Sequence, residues 1–145
     1  MTEDDKWDFI NGLEEELLLG GIILSEWTTF LAKDAEIAFC NGANLSAILA
    51  CQAAIESHLR FDHFDGLESK GWGFYQLIEK SSLEVDLKLE LHELRKYRNK
   101  WVHVEDPAND SVLLQRPEYY EEKLVEIAKR AIKTMLKTLY NSPYV

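Results

Sequence analysis

The sequence predicts an all-helical protein, a compact up-and-down bundle of about five helices built from a single domain over residues 1–145. The chain length suits one domain, and 46% hydrophobic with 29% charged residues is typical of a globular chain with a core. Seven Gly and three Pro are few for a turn-rich β protein. Most apolar residues also recur at steps of three and four, which is the periodicity of a helix.

The first half of the chain predicts three helices. A short first helix carries an apolar stripe at Trp7, Ile10, Leu13 and Leu17. A second helix runs from Ile23 to about Phe39, and Asn41-Gly42 suits its C-terminal cap. A third runs from Ala43 to about Phe61, with alanines that permit close packing of a neighbour. We interpret the aromatic residues of these segments as helical core positions: Trp7, Trp27, Phe30 and Phe39.

The second half predicts one short and two long helices. Phe74 to Lys80 suits one or two turns. Val85 to Leu91 alternates apolar and charged residues as a strand does, but these residues are mainly Leu, Glu and Lys, and a lone strand would have no partner. We therefore predict a helix from Leu83 to His103. The last helix begins near Pro117, where a proline is well tolerated.

The bulk charge excludes some function classes. A net charge of −10 disfavours a general nucleic-acid coat or a polybasic membrane binder, because neutralising phosphates requires clustered cations. The acidic start Met1 to Asp5 is unlike a secretory signal, and the apolar stretch from Leu17 to Leu24 is too short to span a bilayer. We expect a cytoplasmic protein in which Cys40 and Cys51 are structural thiols.

One segment, residues 94–103, departs from the ordinary helical pattern. Arg98 lies four residues after Leu94 and seven after Leu91, so a guanidinium occupies a position on the stripe that should be apolar. Such a cation requires partners, because an unpaired buried charge is costly. Asn99 and His103 are four residues apart and therefore share a helix face.

Arg98 and Asn99, followed by three residues and His103, resemble the signature of the HEPN superfamily (higher eukaryote and prokaryote nucleotide-binding domains). In that family the element lies near the end of a long helix of a compact bundle. The segment from Ala43 to Arg60 also resembles the earlier core helix of the family, and Glu56 occupies the place of an acidic residue that faces the motif. The resemblance covers about residues 23–140.

The resemblance implies a metal-independent endoribonuclease that cleaves single-stranded RNA at a homodimer cleft, often as the toxin or effector of a bacterial conflict system. It also implies a possible antitoxin partner, a nucleotidyltransferase-like protein. Other family members resemble non-catalytic dimerisation or nucleotide-binding modules, and this second reading stays open.

The residue types suit RNA cleavage. A histidine such as His103 transfers protons near neutral pH, and Arg98 offers a permanently charged fork for phosphate oxygens, with Asn99 as a polar assistant. The RNA backbone and a base would be held by a further set of residues: Arg95, Lys96, Lys100 and Tyr97, with Trp101 as a second stacking candidate. We expect neither a cofactor nor a metal.

One alternative accounts for the same residues without catalysis. Arg98 can pair with Glu56 as a brace between two helices, while His103 caps a helix end and the basic cluster is an ordinary solvated face. A metal site is a weaker possibility, because His58 and Asp62 form an i,i+4 pair beside His63 and Asp65, without an identifiable third helical ligand.

Overall fold

The computed structural model describes residues 1–18, 22–102 and 115–141. Within these ranges all regular secondary structure is helical, with no strand, which confirms the predicted all-helical class. The α-helices are α1 (Glu3–Leu17), α2 (Glu26–Cys40), α3 (Asn44–His58), α4 (Phe74–Lys80), α5 (Val85–Val102) and α6 (Pro117–Leu139). A π-helical turn, Leu59–His63, continues α3. None of the helices in the described part of the chain is both long and apolar enough to cross a membrane.

Local sequence signals explain where several helices begin. Thr2 and Asp5 form a reciprocal capping box at the start of α1, with the Thr2 amide donating to Asp5 Oδ2 at 2.8 Å. The Ser25 hydroxyl accepts the Thr28 amide at the start of α2. Pro117 lies in the first turn of α6, as predicted. Gly42, with a φ of +82°, follows α2 and supplies the left-handed turn into α3.

The central helix of the bundle is α3, which packs against α2, α5 and α6. Its alanines Ala47 and Ala54 are completely buried, which is consistent with close approach of the neighbouring helices. Cys40 and Cys51 are both free and buried in this core. The largest fully buried side chains come from all parts of the chain: Ile10, Phe39, Ile48, Ile55, Leu59, Leu77, Ile78, Leu91, Ile132, Met135, Leu136 and Leu139.

Helix α5 resolves the ambiguity between strand and helix. Leu87 and Leu91 are buried, whereas Val85 and Leu89 are exposed by 71% and 58%. A helix places residues two apart on different sides, so one face of α5 can be apolar and buried while the alternate positions face solvent.

The interpretation of Trp27 and Phe30 as core residues is wrong. They are 74% and 67% exposed, and only Phe39 among the aromatic residues of α2 is fully buried. The buried side of α2 is instead a stripe of mostly small residues, Thr28, Ala32, Ala35 and Phe39. The exposed apolar residues and this buried stripe both repeat at steps of three and four. The buried stripe faces α3 because its smaller side chains allow the two helices to pack more closely. We call Trp27, Phe30 and Ile37 the outer face of α2.

Candidate functional site at the end of α5

Arg98 extends the buried stripe of α5 towards the end of the helix. Leu91 and Leu94 are buried, and Arg98, one turn further on, is partly exposed. Its Nη1 donates to Asn99 Oδ1 at 3.3 Å. No ion pair between described residues includes Arg98. The guanidinium therefore lacks an acidic partner within the described ranges. His103 lies outside the described residues.

Glu56 does not make the contact predicted for it. Its carboxylate pairs with Arg60, four residues later, at 3.5 Å. The predicted pair of Glu56 with Arg98 is therefore wrong, and Glu56 pairs instead with Arg60 on its own run of helix. The physical reason is proximity, because side chains four residues apart on a helix are neighbours, whereas Arg98 lies on another helix.

The predicted RNA-binding cations of α5 point in different directions. The Arg95 guanidinium lies over the Tyr75 ring of α4 at 5.2 Å and donates to His92 Nδ1 at 3.3 Å. Lys96 is exposed. Lys100 Nζ lies 5.8 Å from the centre of the Tyr97 ring. Arg95 is thus engaged with α4, and Lys100 is the predicted cation that accompanies Tyr97.

An aromatic and cationic surface lies where α5 approaches the start of α6. The Tyr97 and Trp101 rings are 6.5 Å apart, and the Tyr119 and Tyr120 rings are 5.3 Å apart and nearly perpendicular. We call this surface, Tyr97, Lys100, Trp101, Tyr119, Tyr120 and Lys123, the aromatic cluster.

Lys123 lies against the Tyr119 ring in the α6 half of the aromatic cluster. Its Nζ lies 4.5 Å from the centre of the Tyr119 ring. The Tyr119 hydroxyl, followed by Tyr120 and Tyr97, raises the pKa of Lys123 above its ordinary value. Sequence reasoning missed these α6 residues, although a tyrosine doublet with a lysine one turn after Tyr119 was a readable signal.

A groove of about 340 Å³ runs from the aromatic cluster between α5 and α6. Leu94 and Ile127 supply apolar lining, Tyr97 is shared with the cluster, and Arg130 and Glu93 add opposite charges. Nearby, the buried Trp101 Nε1 has no hydrogen-bond partner among the residues that the structure describes.

The π-helical turn gathers His58, Asp62 and His63. Asp62 Oδ2 lies 2.8 Å from His58 Nδ1, and His58 Nε2 lies 3.2 Å from His63 Nε2. The wider turn brings residues five apart onto one side, which a regular α-helix does not do. Burial lowers the pKa of His58, partly offset by Asp62, and burial followed by the nearby His58 lowers the pKa of His63 to about 4.

This histidine network does not form a metal centre within the described ranges. No three His, Cys, Asp or Glu side chains converge there as metal ligands. Asp65 turns away from the pair, and its Oδ1 accepts the Leu67 amide at 2.8 Å. The two imidazoles and Asp62 provide hydrogen-bond partners for one another, and we interpret the network as structural.

Comparisons of the chain with protein-family models, with curated proteins and with solved structures gave no match. The HEPN resemblance therefore stays a prediction that rests on the motif residues Arg98, Asn99 and His103 together with the order of the helices.

Proposed function

We propose that the chain is a metal-independent endoribonuclease that cleaves single-stranded RNA in a cleft formed by a homodimer. The observation that carries the proposal is the state of Arg98. It stands at the end of a buried leucine stripe, is partly exposed, and has no acidic partner among the described residues. A guanidinium that only braced the bundle would be paired with a carboxylate.

The pairing of Glu56 with Arg60 strengthens this reading. The carboxylate expected to neutralise Arg98 is already engaged at 3.5 Å by another arginine. Arg98 therefore keeps its charge for a phosphate group, whose oxygens accept the two parallel hydrogen bonds that a guanidinium offers.

The aromatic cluster supplies what a single-stranded nucleic acid requires beside such an arginine. Tyr119 is 45% exposed and lies beside Tyr120 and Lys123. Nucleobases stack on aromatic rings, and ammonium groups attract the backbone between them. With Arg98, these residues form a locally cationic site on a protein whose net charge is −10.

The proposed reaction needs no metal. One His103 imidazole removes the proton of the ribose 2′-hydroxyl, whose oxygen attacks the adjacent phosphorus. The bond from phosphorus to the 5′-oxygen breaks, and a second imidazole across the dimer returns a proton to that oxygen. Arg98 stabilises the charged phosphorane, and Asn99 orients the guanidinium. The products are a 2′,3′-cyclic phosphate and a 5′-hydroxyl.

The test is cleavage of a fluorescent single-stranded RNA in excess chelator. We expect cleavage by the wild type and a loss of about 100-fold or more in both Arg98→Ala and His103→Ala. Lys88→Ala is a matched control, because it removes a cation from the same helix about 15 Å away. Cyclic-phosphate product ends support the mechanism. A wild type that leaves the RNA intact, or an Arg98→Ala variant with undiminished cleavage, would refute it.

The family resemblance extends the proposal to a cytoplasmic toxin or effector held in check by a nucleotidyltransferase-like antitoxin. A second candidate function is a non-catalytic helical dimerisation module. The net charge of −10 favours this alternative, because a general RNA binder is seldom so acidic. The same cleavage assay separates the two.

A further inference from the structure

The outer face of α2 is apolar where solvent-facing helices are normally polar. Trp27 is 74% exposed, Phe30 67% and Ile37 39%. Residues of a helix turn by about 100° per position, so Phe30 and Ile37 lie nearly in line at the middle of the exposed side. A monomeric protein rarely exposes several large apolar side chains together unless they meet a partner.

Charged residues flank this apolar line in a fixed pattern. Glu26 and Lys33 lie on one side of it, and Trp27 and Asp34 lie on the other. Glu26, Lys33 and Asp34 are all exposed. Each flank therefore carries an acidic residue towards one end of α2 and a basic or hydrogen-bond-donating residue towards the other end.

A two-fold axis through Phe30 makes this pattern complementary to itself. When two copies of α2 pack antiparallel, each flank of one helix lies beside the same flank of the other. The N-terminal end of that flank then lies beside the C-terminal end of its equivalent. Glu26 then faces Lys33 of the other copy, and the Trp27 indole N–H faces the Asp34 carboxylate. Phe30 meets its own equivalent at the centre. A parallel pair would instead bring Lys33 near Asp34 of the other copy and Glu26 near its Trp27 indole, so exchanging the charges of Glu26 and Lys33 restores the match only in the antiparallel arrangement.

We propose that the outer face of α2 binds the same face of a second copy of this chain in an antiparallel, two-fold symmetric dimer. This goes beyond the proposed function and does not rest on it. Helix α2 packs chiefly on α1, α3 and α6, whereas α5 packs chiefly on α3, α4 and α6. The outer face of α2 points away from α3, so the interface is separate from the aromatic cluster.

The area buried in the interface sets the expected affinity of the dimer. A buried tryptophan or phenylalanine contributes about 150–250 Å², so the apolar residues of both copies supply on the order of 800 Å². The flanking charged residues bring the total to the lower end of the range for specific interfaces, about 1,200 Å². We therefore expect a dimer that dissociates at micromolar concentrations.

The experiment measures molecular mass by sedimentation equilibrium of the full chain from 1 to 100 μM, on the order of its expected dissociation constant. The wild type is expected to gain one two-fold step of association across this range, from monomer to dimer or, where the cleft dimer of the proposed function also forms, from dimer to tetramer. Phe30→Glu is expected to lose that step. Val85→Glu is the matched control, because Val85 is 71% exposed on another helix, and this variant should dimerise normally. Circular dichroism checks folding, and an unfolded Phe30→Glu would show that Phe30 is not solvent-facing and would overturn the proposal.

Charge reversal tests the geometry independently. Lys33→Glu should weaken dimerisation about tenfold, because it places like charges opposite one another. The double variant Glu26→Lys with Lys33→Glu should restore it, since the pair is only exchanged. A monomeric wild type, association of Phe30→Glu as strong as that of the wild type, or a double variant that stays as weak as Lys33→Glu would overturn the proposal. A monomeric wild type would also count against the homodimer cleft of the proposed function, whereas the other two results would leave it untouched.

Discussion

Acidification should change the stability of this protein through two side chains, Glu36 and His63, whose contributions to the free energy of unfolding change in opposite directions. Glu36 of α2 is partly buried, and burial, followed by the nearby Glu14, raises its pKa to about 7. Burial and the nearby His58 lower the pKa of His63 to about 4. Between pH 6.5 and 4.5 the folded state therefore holds a proton on Glu36 that the unfolded state lacks. It also lacks a proton on His63 that the unfolded state gains.

These differences fix the direction of each effect. The contribution of Glu36 to stability is fully present below its ordinary pKa of 4.5 and is lost as the pH rises through 7. That of His63 is present above its ordinary pKa of 6.5 and is lost as the pH falls towards 4. His58, whose pKa burial also lowers, acts in the same direction as His63.

The contributions of Glu36 and His63 are opposite in sign and similar in size, and the contribution of His58 adds to that of His63. A complete difference of one bound proton changes the free energy of unfolding by about 1.4 kcal/mol per pH unit, or about 2.7 kcal/mol from pH 6.5 to 4.5. Both side chains are partly solvated, and screening reduces each contribution to about 1 kcal/mol. Removing either group should therefore reveal the other.

The assay is urea unfolding followed by tryptophan fluorescence at pH 6.5, 5.5 and 4.5, values chosen to span the ordinary pKa values of His63 and Glu36. Relative to the wild type, Glu36→Gln should lose about 1 kcal/mol on acidification and His63→Gln should gain about 1 kcal/mol. Glu15→Gln, at an exposed position of α1, should follow the wild type. The reasoning would be refuted if acidification changed the free energy of unfolding of Glu36→Gln and His63→Gln in the same direction relative to the wild type.

Two further predictions concern single contacts. Lys6 is buried, and its Nζ donates to the Phe39 carbonyl at 3.0 Å near the end of α2. Lys6→Met should therefore lower the free energy of unfolding by about 1–3 kcal/mol in urea titrations, and an unchanged value would contradict this role. Tyr119→Ala should weaken single-stranded RNA binding by about fivefold or more in fluorescence anisotropy, because a stacking surface is lost. Tyr75→Ala, which removes a ring on α4 that is 55% exposed against 45% for Tyr119, should leave that affinity unchanged.

The helical architecture was predictable because its main signals are local. The stripe of α5 at Leu87, Leu91 and Leu94 is buried as the helical reading requires. The competing strand pattern over Val85 to Leu91 fails, because a strand cannot pair its backbone groups without a neighbouring strand. Pro117 and Asn41-Gly42 mark helix boundaries by their backbone chemistry, which is independent of tertiary contacts.

Tertiary choices were harder to predict. Helix α2 has two stripes of equal periodicity, and only packing against α3 decides that the smaller residues face inwards. The π-helical turn at Leu59–His63 has no periodic signal, and it determines how His58 meets His63. The family resemblance predicts Arg98 as the partner of Glu56, but Arg60, one turn away on the same run of helix, makes the ion pair.

Two arginines with opposite environments provide a strict test of the functional reading. The Arg60 guanidinium donates to the Ser69 and Trp72 carbonyls, both at 2.7 Å, and pairs with Glu56. It ties the loop after the π-helical turn to the end of α3. Among the described residues, Arg98 makes one side-chain hydrogen bond, at 3.3 Å to its neighbour Asn99.

The contacts of Arg60 therefore stabilise the fold, whereas Arg98 has no acidic partner in the part of the chain that the structure describes. Arg60→Ala removes two charge-assisted hydrogen bonds and should lower the free energy of unfolding by about 2–4 kcal/mol. Arg98→Ala should lower it by less than about 1 kcal/mol yet abolish RNA cleavage. Urea titration and the cleavage assay on the same preparations measure both quantities. A brace role for Arg98 requires the reverse ranking, with Arg98→Ala at least as destabilising as Arg60→Ala, and that ranking would remove the main support for the nuclease proposal.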